Sequence, residues 1–256
     1  MLRMGPRRAL LYKRPAAAAA SSWTPLLAST AAIWWIDADN SGSITSGGLG
    51  TEATQVNDLG TGARNMTPTT TGPTYTASVL NGKPGFDFSG GTYDLRTVSW
   101  FSNQPFMLVI VWKQSASVPG DYGILWESER TSSDGSRSIV QTKNVDVSNN
   151  YRVISDGIAH AQGVVISANI PYYTRIIFDG TDSASKLNAD NDTGITIGTI
   201  GIYGGIRLGG ASGVVASKAI ICEAFIIPYA DHAAVLADAP TDCTDADAYV
   251  LAKWGI

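Results

Sequence analysis

The residues with the clearest chemical potential are acidic and hydroxyl side chains that follow an early apolar run. Residues 37–44 read Asp-Ala-Asp-Asn-Ser-Gly-Ser-Ile, the order of oxygen donors and turn glycine found in the first half of a calcium-binding loop. Asp37, Asp39 and Ser41 would be the ligands. Position twelve of such a loop is normally a bidentate Glu, and here it is Gly48. We therefore favour an Asp/Asn/Gly turn at the end of a strand, with calcium as the one cofactor to test.

Two further carboxylates invite comparison with glycoside hydrolases, which need a pair of acids flanking the bond that they cleave. Glu127 and Glu129 alternate with other residues, so both would point to one face of a strand. Arg130 stands where a third acid would be expected, and we interpret the two glutamates as surface carboxylates. His160 and His232 are far apart and fit no zinc-binding spacing. The sequence therefore predicts a protein that is not an enzyme.

Many short β-branched and aromatic runs, separated by Gly, Asn and Asp, predict an all-β sandwich. The 27 glycines agree with numerous tight turns. Residues 37–74 are rich in Gly, Ser, Thr and Asn and are predicted to form long loops. The predicted strands cover residues 33–36, 86–88, 106–112, 122–127, 138–142, 151–154, 174–178, 195–197, 205–208 and 219–227.

The composition becomes helical near the C-terminus. Residues 231–237 and 245–254 have helical composition, and Thr244 is placed to cap the second stretch. Trp254 would then pack a short helix on the sandwich.

Sulfur and indole side chains are expected mainly in the core. Cys222 lies in an apolar run and is predicted to be a buried thiol, while a bridge to Cys243 stays open. Most tryptophans also lie in apolar runs. Trp23 and Trp100 are expected to be the exposed ones.

Basic charge is concentrated at the start of the chain. Residues 1–22 carry five basic residues and no acid, so the remaining 18 − 5 = 13 basic residues face all 22 acidic ones, a net charge of −9. Such an acidic body is a poor ligand for nucleic acid. We interpret residues 1–22 as an extended tethering arm that docks on a partner, and residues 23–256 as one domain. The residues expected to dock are Arg3, Arg7, Arg8, Leu10, Leu11, Tyr12, Lys13 and Arg14.

Neither a membrane span nor a secretion signal is expected. No stretch approaches the roughly 18 apolar residues that cross a bilayer. The apolar run at residues 9–12 ends at Lys13, Arg14 and Pro15, well short of the apolar core of a signal peptide.

Four segments, at residues 35–39, 55–65, 80–90 and 249–256, together resemble a known family. They read Trp-Ile-Asp-Ala-Asp, Gln-Val-Asn-Asp-Leu-Gly-Thr-Gly-Ala-Arg-Asn, Leu-Asn-Gly-Lys-Pro-Gly-Phe-Asp-Phe-Ser-Gly and Tyr-Val-Leu-Ala-Lys-Trp-Gly-Ile. Their order and spacing are similar to those of concanavalin A-like lectin, or laminin-G-like, domains of bacteriophage structural proteins. The positions expected to define the fold are Trp35, Asp58, Asn81, Gly82 and Trp254.

The resemblance implies a jelly-roll-like antiparallel β-sandwich on the outer surface of a phage particle. The function it implies is a non-enzymatic head decoration protein, anchored by its arm to the major capsid protein and to copies of itself. The alternative is a tail or fibre adhesin that binds host glycan through loops at residues 40–75 or 114–136. A glycan-cleaving enzyme is the third interpretation.

Overall fold

The computed structural model describes residues 22–91, 93–98, 100, 102–115, 122–128, 138–145, 148–155, 158–188, 190–199, 201–202, 204–210 and 217–256. Within these ranges, the side chains of residues 122, 141–145, 148–150, 152, 154 and 158–165 are outside the description. The predicted docking residues Arg3, Arg7, Arg8, Leu10, Leu11, Tyr12, Lys13 and Arg14 also lie outside the described residues.

The described residues form strands, three 3₁₀ turns and one α-helix. The 3₁₀ turns cover Pro25–Leu27, Ser41–Ser43 and Gly180–Asp182, and helix α1 covers His232–Trp254. In chain order the strands are β1 (Trp34–Asp37), β2 (Ile44–Ser46), β3 (Ala53–Val56), β4 (Met66–Thr67), β5 (Thr74–Leu80), β6 (Lys83–Asp87), β7 (Asp94–Thr97), β8 (Phe106–Gln114), β9 (Tyr122–Ser128), β10 (Ser138–Val145), β11 (Ser148–Ser155), β12 (Ile158–Val165), β13 (Pro171–Phe178), β14 (Ser183–Leu187), β15 (Thr193–Ile195), β16 (Ile206–Gly209) and β17 (Ala219–Pro228).

The strands make two sheets, and the pairings between the described strands are antiparallel. One sheet has eight strands in the order β15-β14-β13-β8-β17-β6-β5, with β1 paired to β17. The other has nine strands in the order β12-β11-β10-β9-β16-β7-β4-β3-β2. The all-β, antiparallel expectation is confirmed.

Strand β8 is apolar from Phe106 to Trp112 because it is covered on both faces. Since side chains alternate along a strand, one set meets the opposite sheet and the other set meets α1. Facing the opposite sheet are Phe106, Leu108, Ile110 and Trp112. Facing α1 are Met107, Val109 and Val111. The molecule therefore has three layers, and the eight-stranded sheet is the middle one.

Helix α1 joins the two predicted helical stretches, residues 231–237 and 245–254, into one helix that runs unbroken for 23 residues. Asp231 caps its start by accepting a hydrogen bond from Ala234 N, and Gly255 ends it at φ 73°. Thr244 does not begin a second helix. It lies inside α1 and donates its hydroxyl to the carbonyl of Pro240 at 2.9 Å. Packing of a long apolar stripe on the sheet overrides the local break that Pro240 predicts. No helix in the described part of the chain is long and apolar enough to cross a membrane.

The long loops expected at residues 37–74 are partly strands. β2, β3 and β4 lie there and form one edge of the nine-stranded sheet. Ala53, Val56 and Met66 are fully buried in them, whereas Thr54 and Thr67 are exposed. The polar composition misled the prediction because these edge strands are short and carry one solvated face.

The two tryptophans expected to be exposed are covered to different extents. Trp23 is only 8% exposed, because its ring packs against Phe225 and Tyr249 with centroid distances of 6.2 and 5.6 Å. Trp100 is half-buried beneath the guanidinium of Arg64, 4.1 Å from the ring centroid. The expectation for Trp23 is wrong, since the chain already packs on the body at that residue.

The cysteines do not form the bridge that the sequence left open. Cys222 and Cys243 are both free and buried. Burial raises the pKa of the Cys222 thiol to about 12, so this thiol stays protonated and unreactive at neutral pH.

Candidate functional site

The densest polar cluster of the described residues surrounds one fully buried carboxylate, Glu223 in β17. Trp35 Nε1 and the Tyr249 hydroxyl each donate a hydrogen bond to its Oε1 at 2.7 Å. Trp254 Nε1 donates to Oε2 at 2.6 Å, and Lys253 Nζ lies 3.1 Å from the same oxygen. These five residues, which we call the carboxylate cluster, join β1, β17 and the last turns of α1.

A local irregularity places Glu223 there. The pairing of β17 with β8 shifts register between Ile221 and Glu223, which is a bulge. A bulge turns one side chain away from its alternating position, and here it aims the carboxylate at α1. Without it, strict alternation would turn Glu223 with Ile221 toward the apolar core between the two sheets.

Opposing effects act on the pKa of Glu223 in the carboxylate cluster. Burial raises the pKa of Glu223, while Lys253 and the hydrogen bonds from Tyr249 and Trp254 lower it. Burial and the adjacent Glu223 raise the pKa of Tyr249 far above its ordinary range. An acid held by three donors and an ammonium is suited to locking α1 onto the sheet. It is poorly placed to exchange a proton with a substrate.

The candidate calcium ligands already have protein partners. Asp37 Oδ2 pairs with Lys253 Nζ at 2.6 Å, and its Oδ1 accepts a hydrogen bond from Asp39 N at 2.9 Å. Asp39 pairs with Lys83. Ser41 begins a 3₁₀ turn and is exposed. Among the described residues, no group of three or more His, Cys, Asp or Glu side chains could hold a metal ion. Calcium binding stays a prediction, and the two lysines argue against it.

The residues expected to define the fold make hydrogen bonds that hold loops and turns in place. The carboxylate of Asp58 accepts hydrogen bonds from the backbone N–H groups of Trp35 at 2.9 Å, Gly60 at 2.7 Å and Arg64 at 2.7 Å. It fixes the 57–65 loop to the start of β1. Backbone hydrogen bonds from Leu59 to Trp35 and from Thr61 to Ala32 hold the same loop.

Asn81 and Gly82 form the two-residue turn between β5 and β6, at φ 50° and 77°. Positive φ at both positions is the requirement of the tight hairpin turn that Asn-Gly favours. The Asn81 amide also donates a hydrogen bond to the carbonyl of Trp254. The turn thus reaches the end of α1, beside the carboxylate cluster.

Glu127 is buried, contrary to the expectation of a surface carboxylate. It is 1% exposed, and Arg207 Nη1 lies 3.2 Å from its Oε1. Arg207 Nε lies 3.3 Å from Asp94 Oδ2, so one guanidinium stands between two acids. The neighbouring strands β9, β16 and β7 align these three side chains across the sheet. Glu129 lies outside the described residues.

One of the two histidines, His232, has a described side chain. His232 Nδ1 lies 2.5 Å from Asp179 Oδ2 on the surface, and this hydrogen bond raises the pKa of His232. The side chain of His160 is outside the description.

A groove runs between α1 and strands β13 and β14, with a volume of about 460 Å³. Arg175 on β13 forms part of its floor and is 2% exposed. Its Nη2 makes two hydrogen bonds to Asp192, at 2.8 and 2.7 Å. Asp247 on α1 accepts from the Tyr173 hydroxyl and pairs with Lys186, both at 2.6 Å. We call this feature the α1 groove.

Sequence reasoning did not single out Glu223 or the α1 groove. A signal for Glu223 exists, since it is a lone acid inside the apolar run of residues 219–227. A buried charge needs partners, so such a residue predicts a polar cluster. Arg175 in the run of residues 174–178 is the same kind of signal.

Comparison with solved structures places this architecture among known folds. A Trypanosoma rangeli sialidase in complex with the inhibitor DANA matches with a TM-score of 0.55 at 9% identity, over 92% of this chain and 35% of the sialidase. Domain 4 of AbnA, a GH43 extracellular arabinanase from Geobacillus stearothermophilus, in complex with arabinotriose, matches with a TM-score of 0.52 at 12% identity, over 87% of this chain and 98% of that domain. The fold is a concanavalin A-like jelly-roll sandwich.

The chain spans about a third of the sialidase, 35% of its length. At identities of 9% and 12%, these likenesses show the fold alone. Domains LG4-5 of the mouse laminin alpha1 chain match with a TM-score of 0.44 at 9% identity, over 60% of this chain and 43% of that one. No family model and no curated protein matches the sequence.

Proposed function

We propose that this protein is a non-enzymatic structural component of a bacteriophage virion, a head decoration protein on the outer surface of the particle. The observation that carries the proposal is the arrangement of the residues behind the family resemblance. Trp35, Asp58, Asn81 and Trp254 are linked by hydrogen bonds or through Glu223. A resemblance whose residues interact in this way reflects a shared architecture and supports the family expectation.

The chemistry of the buried acids supports a role without catalysis. Glu223 is held by three donors from β1 and α1, and Glu127 faces a guanidinium that also faces Asp94. Such carboxylates stabilise the fold. A rigid two-sheet body with neutralised acids suits a displayed module.

Charge supports the arm as the anchor. Residues 1–22 carry five basic residues and no acid, against 13 basic and 22 acidic residues in the remainder. Opposite charge on neighbouring virion proteins, the major capsid protein or other copies of this chain, would attract the arm. Exposed contacts of this kind weaken as salt screens them.

Deletion of residues 1–22 tests the proposal. Particles assembled with the full-length or the truncated chain would be purified and their protein content measured by mass spectrometry, with circular dichroism as the control for folding. We expect the full-length chain in the particle and the folded, truncated chain outside it. Full incorporation of the truncated chain removes the arm from the proposal, and absence of the full-length chain from particles overturns it.

A second candidate function is a tail or fibre adhesin that binds host glycan. It is favoured by the likeness to an arabinanase domain solved with arabinotriose, because the match covers 98% of that domain. The contact surface would be the loops within residues 40–75 and 114–136, apart from strands β2–β5 and β9; residues 116–121 and 129–137 lie outside the described residues. Binding of residues 23–256 to a glycan array, lost when those loops are substituted, would support this function over decoration.

A further inference from the structure

The most exposed residues in the body of α1 are uncharged. In this helix, which is described throughout, each exposed residue from position 233 to position 252 lacks a charge, and Leu236 and Leu251 are 67% and 53% exposed. A surface helix normally presents charged residues on its solvent-facing side. The set, which we call the α1 outer face, comprises Ala233, Leu236, Ala237, Pro240, Thr241, Thr244, Ala248, Leu251 and Ala252. An uncharged helix face of this length is suited to being covered.

The α1 groove borders this face and shares Leu236, Pro240 and Thr244 with it. Arg175 Nη1 on its floor has no hydrogen-bond partner among the described residues. The side chain of Asp192 is half exposed on its rim. The rim of the groove thus offers an acid for a cation of an extended basic peptide, while Arg175 lies buried beneath it.

The charges beside the outer face are mostly negative. α1 with its cap carries five aspartates against Lys253 and His232. Lys253 is already engaged by Asp37 and Glu223. The aspartates that reach solvent beside the outer face are Asp231, Asp238 and Asp245, whereas Asp242 is buried and Asp247 pairs with Lys186 of the groove. A ligand for this surface should therefore be apolar in the middle and basic at its ends.

Residues 7–14 of this chain have that composition. They place Leu10, Leu11 and Tyr12 between two pairs of basic residues. The described chain also enters beside the helix, since Trp23 packs on Tyr249 and Ser29 donates its hydroxyl to Asp242 at 2.5 Å. Twelve residues separate Leu10 from position 22, a reach of about 40 Å when extended. Helix α1 is about 35 Å long, so the reach is sufficient.

We propose that the α1 outer face and the α1 groove bind residues 7–14 of a neighbouring copy of this chain. The proposal rests on the proposed function and names one partner of the arm. Leu10, Leu11 and Tyr12 would cover the exposed leucines, and the flanking basic residues would meet the aspartates. Each copy gives one arm and receives one, so the contact joins copies head to tail.

Geometry favours a neighbour over the same chain. Tyr249, where Trp23 packs, and Asp247, which lines the groove, are two positions apart, about 200° around the helix. The chain therefore enters on one flank of α1 and the groove opens on the other. An arm from the same chain would have to reverse and cross the helix, whereas an arm from a neighbour need not.

A mixed-label crosslink tests the proposal directly. Full-length protein with a photo-crosslinker in place of Tyr12 would be prepared with ¹⁴N and with ¹⁵N, mixed, irradiated and digested. We expect crosslinks from position 12 to α1 peptides, with mixed-isotope pairs present. Same-isotope pairs alone would place the arm on its own body and overturn the proposal, as would crosslinks that avoid α1.

Two variants add an independent measurement. Leu236→Asp with Leu251→Asp places charge on the outer face, and we expect light scattering to shift the molar mass from a multiple of 26.9 kDa to 26.9 kDa. Leu49→Asp with Val98→Asp is the matched control, since these side chains are 57% and 73% exposed elsewhere. An unchanged mass in the first variant, or a monomeric unsubstituted protein, overturns the inference. The proposed function fails separately, if the full-length chain is absent from particles.

Discussion

Trp254 Nε1 donates a hydrogen bond of 2.6 Å to Glu223 Oε2, and this bond ties the last turn of α1 to the middle layer of the molecule. Both residues are fully buried. Apolar contacts between the helix and the sheet are not directional, so on their own they do not fix the position of the helix. The hydrogen bonds to Glu223 fix that position, because a buried carboxylate with an unmet hydrogen bond is costly. The carboxylate cluster therefore fixes where α1 ends on the sheet.

Replacing Trp254 with Phe should destabilise the protein beyond the loss of ring volume. The indole N–H that meets Glu223 disappears, and hydrogen bonds to charged groups contribute about 1.5–3 kcal/mol. We expect the free energy of unfolding, measured in urea by tryptophan fluorescence and circular dichroism, to fall by about 2 kcal/mol more than in the control.

The matched control is Trp126→Phe. Trp126 is also fully buried, but its Nε1 has no hydrogen-bond partner among the described residues. It therefore loses ring volume alone. Equal destabilisation of the two variants would mean that the bond between Trp254 and Glu223 contributes nothing to stability.

Lys253→Met should make stability more sensitive to pH. Burial raises the pKa of Glu223 above 4.5, so the folded state favours the protonated acid. The stability that this raised pKa of Glu223 contributes is fully present below pH 4.5 and is lost as the pH rises through the folded-state pKa. Lys253 lowers that pKa, so its removal raises the pKa further and enlarges the loss. Urea unfolding at about pH 5 and about pH 8 should show a wider gap in the variant than in the unsubstituted protein.

Lys83→Met is the control for this experiment. Lys83 pairs with Asp39, and both side chains are 31% exposed, so the pair should contribute less than about 1 kcal/mol. Its pH dependence should follow that of the unsubstituted protein. A Lys253→Met variant that behaves in the same way would show that Lys253 does not compensate Glu223.

The sequence predicted most of the strands that carry the core, because runs of β-branched and aromatic residues are a local signal, as from Phe106 to Trp112. The sequence also marked Asn81 and Gly82, through the family resemblance, as positions that define the fold. It did not predict the edge strands of residues 44–67, whose apolar content is low. It also did not predict α1 across Pro240 or the burial of Trp23, since both depend on contacts between distant parts of the chain. The bulge that aims Glu223 at α1 is likewise visible only in three dimensions.

Gly82→Ala should lower stability through backbone conformation alone. A Cβ at position 82 would meet nothing within 4 Å, but Gly82 has φ +77°, which alanine disfavours. We expect a loss of about 1 kcal/mol in thermal or urea unfolding. Gly194→Ala is the control, since its Cβ also meets nothing within 4 Å. Its φ lies outside the positive range, so no loss is expected there. Equal effects at both positions would contradict a strained turn at Gly82.

Calcium should leave the melting temperature unchanged. A ligand that binds the folded state stabilises it by about 2.7 kcal/mol at one hundred times its dissociation constant, so a site would be visible in a thermal melt. Asp37 and Asp39 are already paired with Lys253 and Lys83, and a cation would have to displace both ammonium groups. Melts in millimolar calcium and in EDTA should therefore coincide. A calcium-dependent rise in melting temperature that Asp39→Asn abolishes would instead show that the metal displaces Lys83 from the Asp39 carboxylate.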